Sequence, residues 1–388
     1  MKSMLVSVII PTSNGAQTLG RVLRSVLSQD YENMEILIID NGSKDNTEEL
    51  VKGLLTESNR QIRYYKYPHK LGHAGAINEG IKRALGKMII VLHDDVVLCQ
   101  NNWVSSMIQL FEDQRVGVAS SLFITDPKDL KGIDRVFSYV YILGWHEPSD
   151  NLQVQPVMYT GLNNDVIRRE VIERIGLLDN TYKYGMHDLD FSEKVRKYGW
   201  NIVLNSKVYV KHLLSFYQRS LKSHIIKAWQ YGFPSYLILR RYRYLPNLDN
   251  LLFFLMLILF FASFIIPFKF VLFTSLILLI LSFFTEQPNF YGKSKFWIRF
   301  RKILISFVVA IALVLIWKNM FFIGIGMTVP LYRALNNALI CHRETKDPRC
   351  TLQVPFFYIL WSLINGIAVS SGIFIFPIRN GIERLSPP

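Results

Sequence analysis

Three cysteines are all that the 388 residues hold, at Cys99, Cys341 and Cys350, and their spacing fits neither a zinc ligand set nor a redox motif. They read as reduced bystanders, which suits a catalytic part in the cytosol. No Walker sequence occurs, and the glycines of KLGHAGAINEG (70–80) miss the dinucleotide fingerprint. No secretory leader is visible either: Val6 to Ile10 is too short for one and runs into Pro11. The front of the chain is therefore expected to stay on the side where it is made. Acidic residues are the remaining scarcity. From Asn250 onward 13 Lys and Arg face 4 Asp and Glu, and most of the basic residues lie between long apolar runs. That pattern suits anionic head groups beside membrane segments. The formal charge of +14 thus points to a bilayer and away from nucleic acid.

What is present begins with a β-α alternation. Residues 5–10, 35–39, 62–67 and 88–92 are short apolar runs with turn residues after them, and they predict strands. Between them, 18–27, 45–55 and 74–85 carry helical spacing. Strands alternating with helices imply an α/β domain with a mostly parallel sheet and flanking helices. Further on, 119–125 and 154–160 are weaker strand candidates, and 161–169 leads into a helix start. Residues 188–198 predict a helix closed by Gly199, and 202–204 with 208–210 add strand structure before His212. Residues 221–243 predict one amphipathic helix with a basic end, interfacial or buried in packing. The expected organisation is a 1–220 domain, a 221–249 linker helix and a 250–388 transmembrane helical region.

In that last region 251–266 with 270–284, and 303–317 with 319–332, predict two helical hairpins broken at Lys269 and at Lys318-Asn319. The limb at 319–332 is also compatible with a re-entrant or surface segment. Residues 354–378 have no charge and predict the clearest span. Basic loops at 286–302 and 333–352 place both on the cytosolic side with the front domain. Three to five spans result, in an integral protein of the cell membrane with a cytoplasmic catalytic domain.

In parallel α/β sheets ligands sit beyond the carboxyl ends of the strands. The residues found there are Pro11-Thr12-Ser13-Asn14, Asp40-Asn41-Gly42-Ser43 and His93-Asp94-Asp95. One such Asp reads as a helix cap or a turn former. Three polar loops on one edge read as a binding site. Paired aspartates suit a hard divalent cation, Mg²⁺ or Mn²⁺, bridging a diphosphate to the protein. Asp40 is placed to accept hydrogen bonds from a base or ribose. The glycines of 70–80, Gly72 among them, let a ligand approach the backbone. A second carboxylate pair, Asp188 and Asp190, opens a helix whose dipole favours ionised carboxylates. There an ionised Asp can serve as general base, or simply as an N-cap. His212 is a possible third metal ligand or a structural histidine.

Taken in order and spacing, VSVIIPTSN, EILIIDNGSKDNT, KLGHAGAINEGI, VLHDDVVL and MHDLDFSEKVRKYGW resemble the family 2 inverting glycosyltransferases of the GT-A fold, over about residues 4–215. The resemblance implies a Rossmann-like nucleotide half followed by an acceptor half. It implies that Pro11, Thr12, Asn14 and Asp40 line a nucleoside pocket and that Asp95, with Asp94 beside it, ends the DxD motif at the metal. It further implies that Asp188 is the catalytic base and that His212 completes the metal site. Three residues depart from the family pattern. His93 stands at the first DxD position, a poorer Mg²⁺ ligand that favours Mn²⁺; His187 replaces the Glu before the base; Lys70 stands where Asn is common.

The function expected is transfer of a sugar from a nucleotide-sugar donor to a hydroxyl of a lipid-linked or cell-surface glycan, beside membrane lipids. A polyprenyl-phosphate sugar synthase is the alternative within the class. Outside it stand a catalytically silent nucleotide-sugar-binding membrane protein and a transporter. A transporter would carry charges within its spans, whereas Lys269 and Lys318 sit at breaks. A processive synthase would need a Gln-x-x-Arg-Trp motif, which is absent.

Overall fold

The computed structural model describes residues 4–57, 60–124, 130, 132–141, 153–182, 185–213, 220–246, 248–262 and 320–380. The chain divides into two units. The first takes in Met1–Asp126 and Trp145–Phe216; the second takes in Pro127–Gly144 and resumes at Tyr217. The first is therefore discontinuous, where the sequence reading had a single run from 1 to 220.

The first unit opens with β1 (Val6–Thr12), α1 (Leu19–Leu27), β2 (Met34–Asp40), α2 (Thr47–Glu57), β3 (Gln61–Lys66), α3 (His73–Arg83) and β4 (Met88–Leu92). β1, β2 and β4 are buried along their whole length, as strands covered on both faces must be. Their apolar residues pack into two layers. Val8, Ile10, Ile36 and Ile38 meet Leu19, Val22, Leu23 and Val26 of α1 in one. Ile9, Leu37 and Ile39 meet Ala74, Ile77 and Ile81 of α3 in the other.

Then follow β5 (Val96–Leu98), α4 (Trp103–Ile108), β6 (Val116–Ile124), α5 (Gly132–Tyr141, in the second unit), β7 (Val154–Val157), β8 (Asn164–Arg168), α6 (Arg169–Ile175), α7 (His187–Lys197) and β9 (Asn201–His212). The sheet order is β3-β2-β1-β4-β8-β6-β9-β5, with β7 on β9. Pairing is parallel over β3-β2-β1-β4 and again between β6 and β9; β8 runs against β4 and β6, and β5 and β7 run against β9. The expected parallel sheet holds for the first four strands, and the sheet as a whole is mixed. β1 lies between β2 and β4, so the connections diverge there and leave a crevice beyond its carboxyl end.

The opposite end of the sheet is closed by polar contacts. Glu35 accepts from Ser7 Oγ (2.5 Å) and the Leu85 amide (2.6 Å) and pairs with Arg63. That carboxylate is spent on structure.

The second unit contains α5, α8 (Leu221–Gly232), α9 (Ser235–Tyr242), α10 (Leu248–Ala262), α11 (Met320–Thr345) and α12 (Pro348–Asn380). The single helix expected over 221–243 is two, because Phe233-Pro234 breaks it and Pro234 becomes the N-cap of α9. The limb expected at 319–332 and the basic loop at 333–352 are also redrawn. α11 runs through Pro330 to Thr345, and the turn is confined to Lys346-Asp347, with Lys346 at φ 50°. Cys341 and Cys350 meet across that turn, Sγ to Sγ 3.0 Å, so they are not isolated residues. Most of the two hairpins, from 263 to 319, lies outside the described residues. Among those described, one helix, over Pro348–Ile373, is long and apolar enough to cross a membrane.

Candidate active site

At the crevice β1 and β4 are tied by their first polar residues. Thr12 Oγ1 donates to Asp94 Oδ2 at 2.5 Å. Asn14, at φ 58°, donates its amide to Ser43 Oγ and accepts the Lys44 amide, both at 2.8 Å. Asp40 ends β2 fully buried; it accepts the Ser43 amide at 2.7 Å and the Tyr64 hydroxyl at 2.5 Å. Its carboxylate therefore shapes the turn 41–43, a task the sequence reading did not assign. Asn41 continues the seam, accepting the Leu71 amide at 2.5 Å and donating to the Gly72 carbonyl at 3.4 Å. Gly72 has φ 79° and caps α3, a conformation glycine adopts at no steric cost. Thr12, Asn14, Asp40 and Gly72 thus lie on linked turns beyond the carboxyl ends of β1 and β2, and Pro11 precedes Thr12 in β1.

The acidic loop follows β4. Asp94 is pushed up to about 7, first by burial and then by the neighbouring Asp95 charge; the Thr12 hydroxyl and the Ser13 amide oppose the shift. Two carboxylates crowded in this way favour a cation between them and a ligand. Asp95 Oδ2 lies 3.2 Å from His212 Nε2. That meeting follows from sheet register, since Val96 of β5 is opposite His212 of β9. Among the described residues no three acidic, histidine or cysteine side chains converge closely enough to hold an ion by themselves. One oxygen and one nitrogen donor, Asp95 and His212, would suit Mn²⁺ better than Mg²⁺, which takes oxygen ligands.

The second carboxylate pair separates into two jobs. Asp190 is buried, pairs with Lys194 Nζ at 2.8 Å and accepts from Tyr182 at 3.3 Å. It anchors α7. Asp188 is pushed up to about 6 by burial, against the Leu189 and Asp188 amides at the helix start. Its carbonyl accepts Ser192 Oγ at 2.8 Å, and Ser192 Oγ accepts the Thr160 amide at 3.1 Å. Tyr159 is held at about 12 by burial and by the Asp188 charge.

The sequence places sugar-contacting residues in the stretch around 120–165 but singles out no residue of 159–165. Asp165 is buried, bonded to Thr160 and to the Asn163 amide (2.9 Å), and pushed up to about 6 by burial. Asn163 in turn accepts the His93 amide at 3.0 Å. An Asp inside a short strand, β8, was the available signal. His73 went equally unremarked: its Nε2 lies 2.9 Å from His93 Nε2, and its ring is 5.1 Å from that of His187.

Residues 7–176 match the model of the family described as "Glycosyl transferase family 2". The chain carries a family 2 glycosyltransferase domain. Glycosyltransferase GlyG of Streptococcus pneumoniae is 29% identical over 156 residues, 40% of this chain and 50% of that protein. The GalNAc(5)-diNAcBac-PP-undecaprenol beta-1,3-glucosyltransferase of Campylobacter jejuni is 33% identical over 89 residues, 23% and 29% of the two chains. This chain spans half or less of the length of these relatives. The family 2 domain also shares its fold with the mannosyltransferase PcManGT of Pyrobaculum calidifontis, solved with GDP-Man and Mn²⁺. The TM-score is 0.53 at 14% identity, over 97% of this chain and 88% of that one. The architecture is thus the GT-A one: a mixed α/β sheet with flanking helices and a C-terminal apolar helix.

Proposed function

We propose that the protein transfers a sugar from a nucleotide-sugar donor to a hydroxyl of a lipid-linked or cell-surface glycan, inverting the anomeric carbon. The observation that carries the reading is a pair of unlike carboxylate sites whose segments meet through the His93, His73 and His187 contacts. Asp94 and Asp95, with His212, suit a cation and a diphosphate. Asp188, with a carboxyl raised to about 6, suits a base that is ionised at neutral pH and still basic enough to take a proton.

Asp95 and His212 would hold Mg²⁺ or Mn²⁺. Such an ion neutralises the charge that builds on a leaving diphosphate. Pro11, Thr12, Asn14 and the turn ordered by Asp40 would receive the nucleoside, and the Gly72 backbone would approach the phosphates. Asp188 would accept the proton of the attacking hydroxyl. One base without a covalent nucleophile gives a single displacement, and hence inversion.

Membrane association rests on α12 and on exposed apolar residues elsewhere in the second unit. α8 exposes Ile225, Ile226 and Trp229, and α12 exposes Leu352 and Phe356. Amphipathic faces of this kind suit the head-group boundary. The Campylobacter jejuni relative is named for a PP-undecaprenol-linked glycan, which supports a lipid-linked acceptor here.

The test is a screen of the purified full chain against UDP-, GDP- and dTDP-sugars with a membrane lipid extract. Free nucleoside diphosphate and the product's anomeric configuration are read. One donor class should turn over with inversion. A retained configuration, or no release from any donor with Mn²⁺ and Mg²⁺ supplied, would overturn the assignment. A reporter inserted at Lys346 should read cytosolic, on the side of the N-terminus; an external reading defeats that topology.

A further inference from the structure

His93, His73 and His187 stand at the starts of three different segments. His93 directly follows β4, His73 is the first residue of α3, and His187 is the first residue of α7. The rings form a row with His73 in the middle. His73 meets His93 edge-on, centroids 4.6 Å apart at 84°, with the two Nε2 atoms 2.9 Å apart. It meets His187 at 5.1 Å and 60°. The two residues by which this chain departs from its family at the acidic motif and before the base are thus gathered by a third, His73.

We propose that His73 is a positioning residue, holding the Asp94-Asp95 loop and the first turn of α7 with Asp188 at one fixed separation. The inference rests on the roles given above to Asp95 and Asp188.

A bond between two ring nitrogens needs an N–H on one and a bare lone pair on the other. The 2.9 Å contact therefore fixes complementary proton positions on His73 and His93 as well as their orientation. Each outer histidine is adjacent in sequence to a carboxylate of the site. Fixing His93 fixes the backbone entering Asp94, and packing against His187 fixes the backbone entering Asp188. A second brace already runs from the His93 amide to the Asn163 carbonyl, and from Thr160 through Ser192 to Asp188. Two braces at different points restrain a pivoting that one alone would leave open. A single displacement is sensitive to that, because the leaving diphosphate and the base must face each other across the anomeric carbon. A shift of about 1 Å at such a site costs on the order of 100-fold in rate.

The experiment compares His73→Phe, which keeps an aromatic ring, though a larger one, and loses the nitrogens, with His73→Gln, whose amide reaches the Nε2 position. Both are measured in the full chain with the donor found by the screen. His73→Phe should lower kcat by about 100-fold, with donor KM and calorimetric binding of UDP and GDP with Mn²⁺ within about threefold of wild type, because the nucleoside crevice does not use this ring. His73→Gln should recover at least about tenfold of the loss. Wild-type kcat in His73→Phe, or His73→Gln no better than His73→Phe, would overturn the proposal. So would a loss of nucleotide binding equal to the loss of kcat. If His73→Phe does not fold, by its melting transition, His73→Gln decides alone: folded with at least a tenth of wild-type kcat supports the proposal, and folded with less overturns it. Asp95→Ala and Asp188→Asn run alongside. Full activity in those two defeats the reading of the site, whereas their inactivity beside a fully active His73→Phe defeats the proposal alone.

Discussion

Asp188→Asn is the substitution whose outcome the geometry specifies most closely. The variant keeps the side-chain size, and its amide oxygen can still accept the Leu189 amide that now opposes the raised carboxyl. The Ser192-to-carbonyl bond and the Thr160-to-Ser192 bond do not involve the carboxylate, so the frame around residue 188 is retained. What is lost is the proton acceptor. General-base assistance is worth about 10²–10⁴-fold, or roughly 3–5 kcal/mol of transition-state stabilisation. kcat should fall by that factor while donor KM changes little, since a base contributes to the transition state and not to donor binding. Wild-type enzyme supplies a second readout. Burial raises the carboxyl to about 6, and the proposed base must be ionised to act, so lowering the pH through that value should remove activity. About nine-tenths of the base is ionised at pH 7 and about one-tenth at pH 5, a tenfold fall on the acid limb. Radiolabelled sugar transfer at saturating donor, from pH 5 to pH 8, measures both. An Asp188→Asn variant within threefold of wild type would refute the reasoning. So would an acid limb that survives the substitution with the same midpoint.

Asp95→Ala should abolish turnover without lowering the melting temperature, and EDTA should do the same to wild type until Mn²⁺ or Mg²⁺ is restored; full activity in EDTA refutes the metal role. Asp190→Asn should cost about 3–5 kcal/mol of stability, the value of breaking the buried ion pair with Lys194, and less than tenfold in kcat. Denaturant titration and steady-state kinetics separate these effects. In the second unit, a Cβ at Gly366 meets the Asn250 carbonyl oxygen. Gly366→Ala should therefore lower stability by about 1–3 kcal/mol, and an unchanged melting temperature would argue against that close approach.

Sequence pattern was informative where burial is simple. β1, β2 and β4 carry nearly continuous apolar runs, rich in Val and Ile, because both faces are covered, and the polar residues that follow them lie at the carboxyl ends of the strands. β8 escaped notice because NDVIR is short, begins with polar residues and passes directly into α6. Asn164 and Asp165 are buried there only because Ser120, Ser121 and Thr160 satisfy them, and nothing local announces that. β9 reads as two pieces because Asn205-Ser206-Lys207 interrupts the apolar pattern. In the sheet it is a single strand whose pairing with β6 shifts register at that point. Asp188 and Asp190 are alike in sequence. Only the packing of Lys194 and Tyr182 separates Asp190, an anchor, from Asp188, the proposed base. The histidine row was illegible for a related reason, since its members come from three distant segments and each has an innocent local explanation.

α5 is short, yet its partners are among the most distant in sequence. Val136, Phe137, Tyr139 and Val140 are buried against Ala334, Ala338, Tyr358 and Trp361. Tyr139 donates to Glu344 at 2.8 Å, and Asn337 donates to the Tyr139 carbonyl at 2.8 Å. During synthesis this helix therefore leaves the ribosome about two hundred residues before the surface that covers it, and closing a loop of that length costs chain entropy that only the finished contact repays. A chain truncated near Phe216 would include every residue assigned to the site, but it would present the apolar face of α5 to water. Such a fragment should self-associate, so soluble forms will come from replacing Val136, Phe137 and Val140 with polar residues and not from moving the cut.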